Sequence, residues 1–194
     1  MSYKKIIILP ALFFLSNFLY ISCCKCIDAK DHFYEILNMS VRTHGSGNAI
    51  IDTGVGTHVD SVYHTYSMGF NCVASQKNPL SFLVNESLAC KCVECGSQGL
   101  KSKIISLEIS SDSIYNSIPA NQSLNSFFYV AFNNATINLD SLKNLVNDGR
   151  NKLYGLQIFT KTKPDNNKGH VFTLKIIFAD GRQVMSSTRR IYWT

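Results

Sequence analysis

From Val59 to Cys72 the chain alternates: Val62, His64, Tyr66, Met68 and Phe70 interleave with Ser61, Tyr63, Thr65, Ser67 and Gly69. A period of two sets one side of a strand against a core and the other toward water. Runs rich in β-branched and aromatic residues recur at Phe33 to Val41, Ile104 to Ser110, Phe127 to Phe132, Leu153 to Thr160, His170 to Phe178 and Val184 to Trp193. With the first run these predict about seven strands. Turn chemistry falls between them: His44-Gly45-Ser46-Gly47 follows the Phe33 run, and Asp180-Gly181, a favoured hairpin dipeptide, joins the last two.

One stretch has helical spacing. Leu139, Leu142, Leu145 and Val146 share a face, Asn138 or Asp140 can accept from the amides of the first turn, and Asp148-Gly149 closes the segment. This short helix is expected to serve as a crossover between sheet edges. Many short strands with one helix predict a mostly β chain, an antiparallel β-sandwich, immunoglobulin-like or similar, spanning 33–194.

The start of the chain breaks the alternation. Lys4 and Lys5 precede Ile6 to Ile21, an apolar run interrupted only by Pro10, Ser16 and Asn17. That run is short of the roughly 20 residues a membrane-crossing helix needs, and with no polar face it makes a poor surface helix, so it reads as a signal segment. It ends at Ser22-Cys23-Cys24-Lys25-Cys26, a small residue directly before a cysteine, the arrangement of a lipoprotein signal. The expected organisation is therefore a signal over 1–22, lipidation of Cys23, a tether over 23–32 and the sandwich beyond it. Tyr20 stands where such signals usually carry Leu, and cleavage before Cys24 or plain secretion are the alternatives.

Composition agrees with one exported domain. The 194 residues are 45% apolar and 16% charged, enough for a packed core and too few charges for a disordered chain. Without Lys4 and Lys5 the basic side chains fall from 19 to 17 against 13 acidic ones, a surplus of four spread from Lys25 to Arg190. No basic patch interleaved with aromatics exists, so no nucleic-acid partner is expected.

Setting Cys23 aside leaves Cys24, Cys26, Cys72, Cys90, Cys92 and Cys95, an even number that favours disulfides in an oxidising compartment. The expected trend is a bridge from Cys72 to the Cys90-Lys91-Cys92-Val93-Glu94-Cys95 cluster. The alternative is a metal-binding or thiol-redox site in which Cys90, Cys92 and Cys95, with Cys72 as a fourth ligand, hold zinc or copper; this spacing departs from paired C-x-x-C knuckles.

Catalytic signatures are scarce. The histidines His32, His44, His58, His64 and His170 form no H-x-x-x-H pattern, although His58, Asp60 and His44 offer a weak surface metal site. Asp52-Thr53-Gly54 matches the aspartic-protease triplet but occurs once, where two carboxylates are needed. Gly45-Ser46-Gly47 lacks the nucleophile-elbow pattern. Tyr63, Tyr115, Tyr154, Tyr192 and Trp193 are candidates for a sugar- or peptide-binding surface, or else strand residues that pack a sandwich face. No catalytic residue, metal or cofactor is expected.

The Ser22-Cys23-Cys24-Lys25-Cys26 start followed by Phe33-Tyr34-Glu35-Ile36, the central run from Ile104 to Ser117 with the Asn/Ser/Phe-rich segment to Phe128, and the ending from Phe172 to Trp193 resemble a family of small Bacteroidota lipoproteins classed as a domain of unknown function. The resemblance covers nearly the whole chain after the signal. It implies a lipid-anchored β-sandwich of the cell envelope, held to the membrane by its N-terminus, and carries no catalytic residues. Asp60-Ser61-Val62, Asp112-Ser113-Ile114 and Asp140-Ser141-Leu142 fit the O-glycosylation pattern of that phylum, and the sequons at Asn38, Asn85, Asn121 and Asn134 read as coincidence in an Asn-rich chain. The expectation is a non-enzymatic binding or structural module whose partner is a surface protein or a glycan.

Overall fold

The computed structural model describes residues 33–45, 62–73, 95–149, 151–166 and 168–193. In chain order the elements are β1 (Phe33–His44), β2 (Tyr63–Val73), β3 (Ile104–Ser111), a 3-10 turn (Asn125–Phe127), β4 (Phe128–Phe132), β5 (Ala135–Ile137), α1 (Leu139–Asn147), β6 (Gly155–Thr160), β7 (Phe172–Phe178) and β8 (Gln183–Ser187). Two antiparallel sheets result, one of five strands in the order β1-β2-β6-β4-β5 and one of three in the order β3-β7-β8. This is the expected sandwich, with eight strands among the described residues instead of seven.

The alternation of β2 holds as far as Met68, with Val62, His64, Tyr66 and Met68 buried, and ends at Phe70, which is 42% exposed. The inner faces meet around Phe172, whose ring has Phe128, Tyr115 and Trp193 edge-on at 5.4, 5.8 and 5.7 Å. Edge-to-face pairs of this kind add to the area they bury, because the positive rim of one ring meets the negative face of another. Of the two readings open for Tyr115 and Trp193, a binding surface or the packing of a sandwich face, the second holds: both are core residues.

Two boundaries differ from expectation for local reasons. His44, expected in the turn, belongs to β1 and pairs with Tyr63, so the strand runs past Val41. The final strand stops at Ser187, because Thr188 turns inward and its Oγ1 accepts from the Phe172 N–H; beyond it Ile191 forms an isolated bridge with His170. The helix is the expected crossover, within one sheet: α1 carries the chain from the edge strand β5 past β4 to β6, which runs parallel to β5. Asn138 caps it, accepting from the Ser141 N–H at 2.7 Å, and Leu139, Leu142 and Val146 are buried. Leu145 lies 38% exposed, off the core face.

The hairpin at Asp180-Gly181 forms as expected. Gly181 has φ +83°, a conformation a Cβ would strain, and Asp180 Oδ1 accepts from the Arg182 N–H. On the other margin of the small sheet, the free edge of β3 is sealed by asparagine side chains. Asn147 accepts from the Ile104 N–H at 2.8 Å and donates to the Ile104 carbonyl at 2.9 Å. Asn125 accepts from the Ile109 N–H at 3.0 Å and donates to the Leu107 carbonyl at 2.9 Å. A carboxamide carries the same donor and acceptor as a peptide unit, so each completes the ladder where no strand follows.

Candidate functional site

Four constellations contain the chemistry. The first is the cysteines. Cys72, near the end of β2, is bonded to Cys95 with Cα atoms 5.6 Å apart, as the expected trend required. Cys23, Cys24, Cys26, Cys90 and Cys92 lie outside the described residues, as do His32, His58, Asp60, Asn85 and the Asp52-Thr53-Gly54 triplet. Among the described residues no three His, Cys, Asp or Glu side chains converge as metal ligands.

The second joins Ser111, at the end of β3, to His170 just before β7, an association across 59 positions that no sequence pattern marks. Ser111 Oγ lies 2.9 Å from His170 Nδ1, and His170 Nε2 lies 3.3 Å from Asn166 Oδ1. Since an amide oxygen only accepts, the network assigns the proton to Nε2, and Nδ1 accepts from the serine hydroxyl. Ser111 Oγ in turn accepts from the Ser113 N–H at 3.2 Å. Burial lowers the affinity of His170 for a proton; Asp112 opposes that, Arg190 reinforces it, and Asp165 opposes it, leaving the imidazole below its ordinary value. Around it, Asp112 accepts from the Val171 N–H and pairs with Arg190, which donates to the Gly169 carbonyl. Burial alone would raise the Asp112 carboxyl, but the Val171 N–H and the Arg190 guanidinium outweigh it and hold it below the usual range.

A serine hydrogen-bonded to a histidine that a third group orients has the outline of an activated nucleophile. Here Ser111 is 2% and His170 0% exposed, and every polar atom of the pair is occupied. The arrangement closes one end of the sandwich. It offers no atom to a substrate.

The third is a ladder of rings on the outer face of the five-stranded sheet. His44, Tyr63, Phe159 and Tyr129 sit side by side on β1, β2, β6 and β4, with centroids 4.7, 5.2 and 5.1 Å apart and planes within 6°, 25° and 5° of parallel. Rings so close and so nearly parallel stack on one another, so Tyr63 spends both faces inside the ladder and presents an edge outward. Of the other surface candidates, Tyr154 and Tyr192 are 47% and 43% exposed.

The fourth is a cleft of about 490 Å³ where α1 begins, lined by Ser123, Asn125, Ser126, Asn138, Asp140 and Lys161 among others. Its amides are committed to the fold: Asn125 seals β3, Asn138 caps α1, and Lys161 Nζ donates to the Ser126 carbonyl at 2.9 Å. What remains is hydroxyls and the Asp140 carboxylate, groups that can hold a small polar molecule but include no histidine or thiol to activate one.

Of the four sequons, Asn38 lies against Gly69 in the sheet, while Asn121 and Asn134 are exposed turn residues with φ of 65° and 62°. Among the described residues no helix is long and apolar enough to cross a membrane. No family model, curated protein or solved structure matches the chain.

Proposed function

We propose that the chain is an exported lipoprotein of the cell envelope, anchored through Cys23, whose β-sandwich acts as a non-enzymatic binding or structural module. The observation that carries this reading is the Cys72–Cys95 bond, because a disulfide persists in an oxidising compartment and a signal-like leader ending at Ser22-Cys23 supplies the route there. Two further observations support it. The best nucleophile-like pair, Ser111 with His170, is buried and saturated. The resemblance to Bacteroidota lipoproteins of unknown function carries the same anchor and no catalytic set.

The competing reading, a thiolate metal or redox centre on Cys90, Cys92 and Cys95, loses ground to the same bond. Cys95 and Cys72 are two of the four thiolates zinc would need, and a sulfur in a disulfide is no ligand.

Detergent phase partitioning tests the proposal. The protein from its own cells should enter the detergent phase, and a Cys23→Ala variant should move to the aqueous phase. If both stay aqueous, the anchor is absent and the reading fails.

A further inference from the structure

We propose that the end of the sandwich from which the tether departs rests on the lipid surface, with Phe70 and Tyr154 as its membrane contacts. The inference rests on the lipoprotein reading above and adds the orientation of the domain.

Several strands converge on that end. β1 begins at Phe33, which pairs with Val73 at the end of β2, and Cys72 is bonded to Cys95 beside them. Tyr34 donates its N–H to the Gly99 carbonyl and accepts from the Lys101 N–H, while its hydroxyl accepts from the Leu153 N–H. The β7–β8 turn arrives there too, since Arg182 reaches the Ile36 carbonyl. The Ser111–His170 network and Trp193 lie at the opposite end, where β3 and β7 pair through Ser111 and Phe172.

The tether end is apolar where the other is closed. Phe70 and Tyr154 are 42% and 47% exposed, their rings 4.8 Å apart, and both lean on the buried Tyr34 ring at 6.3 and 6.4 Å. Leu37, the extra residue of the β1 bulge, is 54% exposed nearby, one position from Ile36, the partner of Phe70. Exposed apolar groups gathered at one end mark a contact site, and Tyr beside a cation suits the headgroup layer, where one part of the group is wet and the other dry, while Phe suits the apolar layer beneath it. Lys152 Nζ sits 5.9 Å from the Tyr154 ring centroid, and Lys101 and Arg182 flank the same end around Glu35.

The covering surface is identified by the chain itself. Nine residues separate Cys23 from Phe33, and at about 3.6 Å per residue at most they hold this end within a few tens of ångströms of an anchor on Cys23. An apolar end confined there meets lipid at high effective concentration, and a second contact is what converts a flexible leash into a fixed orientation.

The test uses the whole protein as purified from its membranes, returned to phosphatidylcholine–phosphatidylglycerol vesicles made with or without bromine on the acyl chains. Trp193 is the chain's single tryptophan and reports the far end. A Phe70→Trp variant in a Trp193→Phe background reports the tether end, and Tyr154→Trp in the same background reports it independently. The expected result is emission from positions 70 and 154 that falls several-fold in brominated vesicles, with Trp193 of the native protein unchanged. Unquenched emission at 70 and 154 overturns the proposal and makes this end a face for water or protein; equal quenching at Trp193 overturns it as well. The anchor is judged separately by the mass of the Cys23 peptide, so a lipidated chain with unquenched emission sinks the orientation alone, and quenched emission without a lipid sinks the anchor alone.

Discussion

His64 shows how a single buried residue couples the fold to acidity. It points inward from β2, its Nδ1 3.1 Å from Thr43 Oγ1 and its ring 5.5 Å from Phe172. Burial, with His44 adding to it, pushes its imidazole down to about 3 from the ordinary 6.5. Above pH 6.5 the residue is neutral in both folded and unfolded chains and has no effect on stability. Below that value the unfolded chain takes up a proton the folded one refuses, so stability is lost on acidification by about 1.4 kcal/mol per pH unit until the folded value is reached. His170, also lowered, contributes in the same direction. The melting temperature should therefore fall steadily from pH 6.5 to pH 4, and a His64→Gln variant, whatever its starting stability, should show a shallower fall. Parallel slopes for the two proteins would show that His64 takes no part.

At the scale of elements, the edge of β3 depends on two side chains. Asn125→Ala or Asn147→Ala leaves a backbone N–H and a carbonyl without their carboxamide, a loss worth about 1–3 kcal/mol each where water does not replace it. Urea unfolding should show lower midpoints for both variants with unchanged slopes, and light scattering should show more association, because an unsealed edge is a template for another chain. The Cys72–Cys95 bond is a second element-scale constraint. It closes a loop across a separation of 23 residues, so Cys72→Ser with Cys95→Ser should cost roughly 3 kcal/mol in the same assay. These features also divide what could be read in advance from what could not. The alternation of Val62 to Met68 was readable because one side of β2 is core, and Asp180-Gly181 because the hairpin demands a left-handed residue. β5 was missed, since Ala135, Thr136 and Ile137 are three residues, two of them exposed, that pair only through β4. The sequence leaves Trp193 and Tyr115 between two readings because aromatic residues suit both a core and a surface, and only the partner sheet decides. The Ser111–His170 pair and the asparagine seals depend on contacts between distant positions, which leave no local trace.

At the scale of the whole molecule, the two ends of the sandwich differ in kind. One is closed by a saturated polar network of Ser111, His170, Asp112 and Arg190, and the other gathers the start of β1, the disulfide and the exposed rings of Phe70 and Tyr154. That polarity fits the attachment at one end proposed above. In the proposed reading the leader, the Cys23 thiol and the Cys72–Cys95 bond, three separate features, share a single route, out of the cytoplasm and onto a membrane. The most direct measurement of that route is mass spectrometry of the first peptide of the protein taken from its own cells. The account predicts a chain that begins at Cys23 and carries a diacylglyceryl group on its sulfur. A chain that still begins at Met1, with Cys23 unmodified, would contradict it.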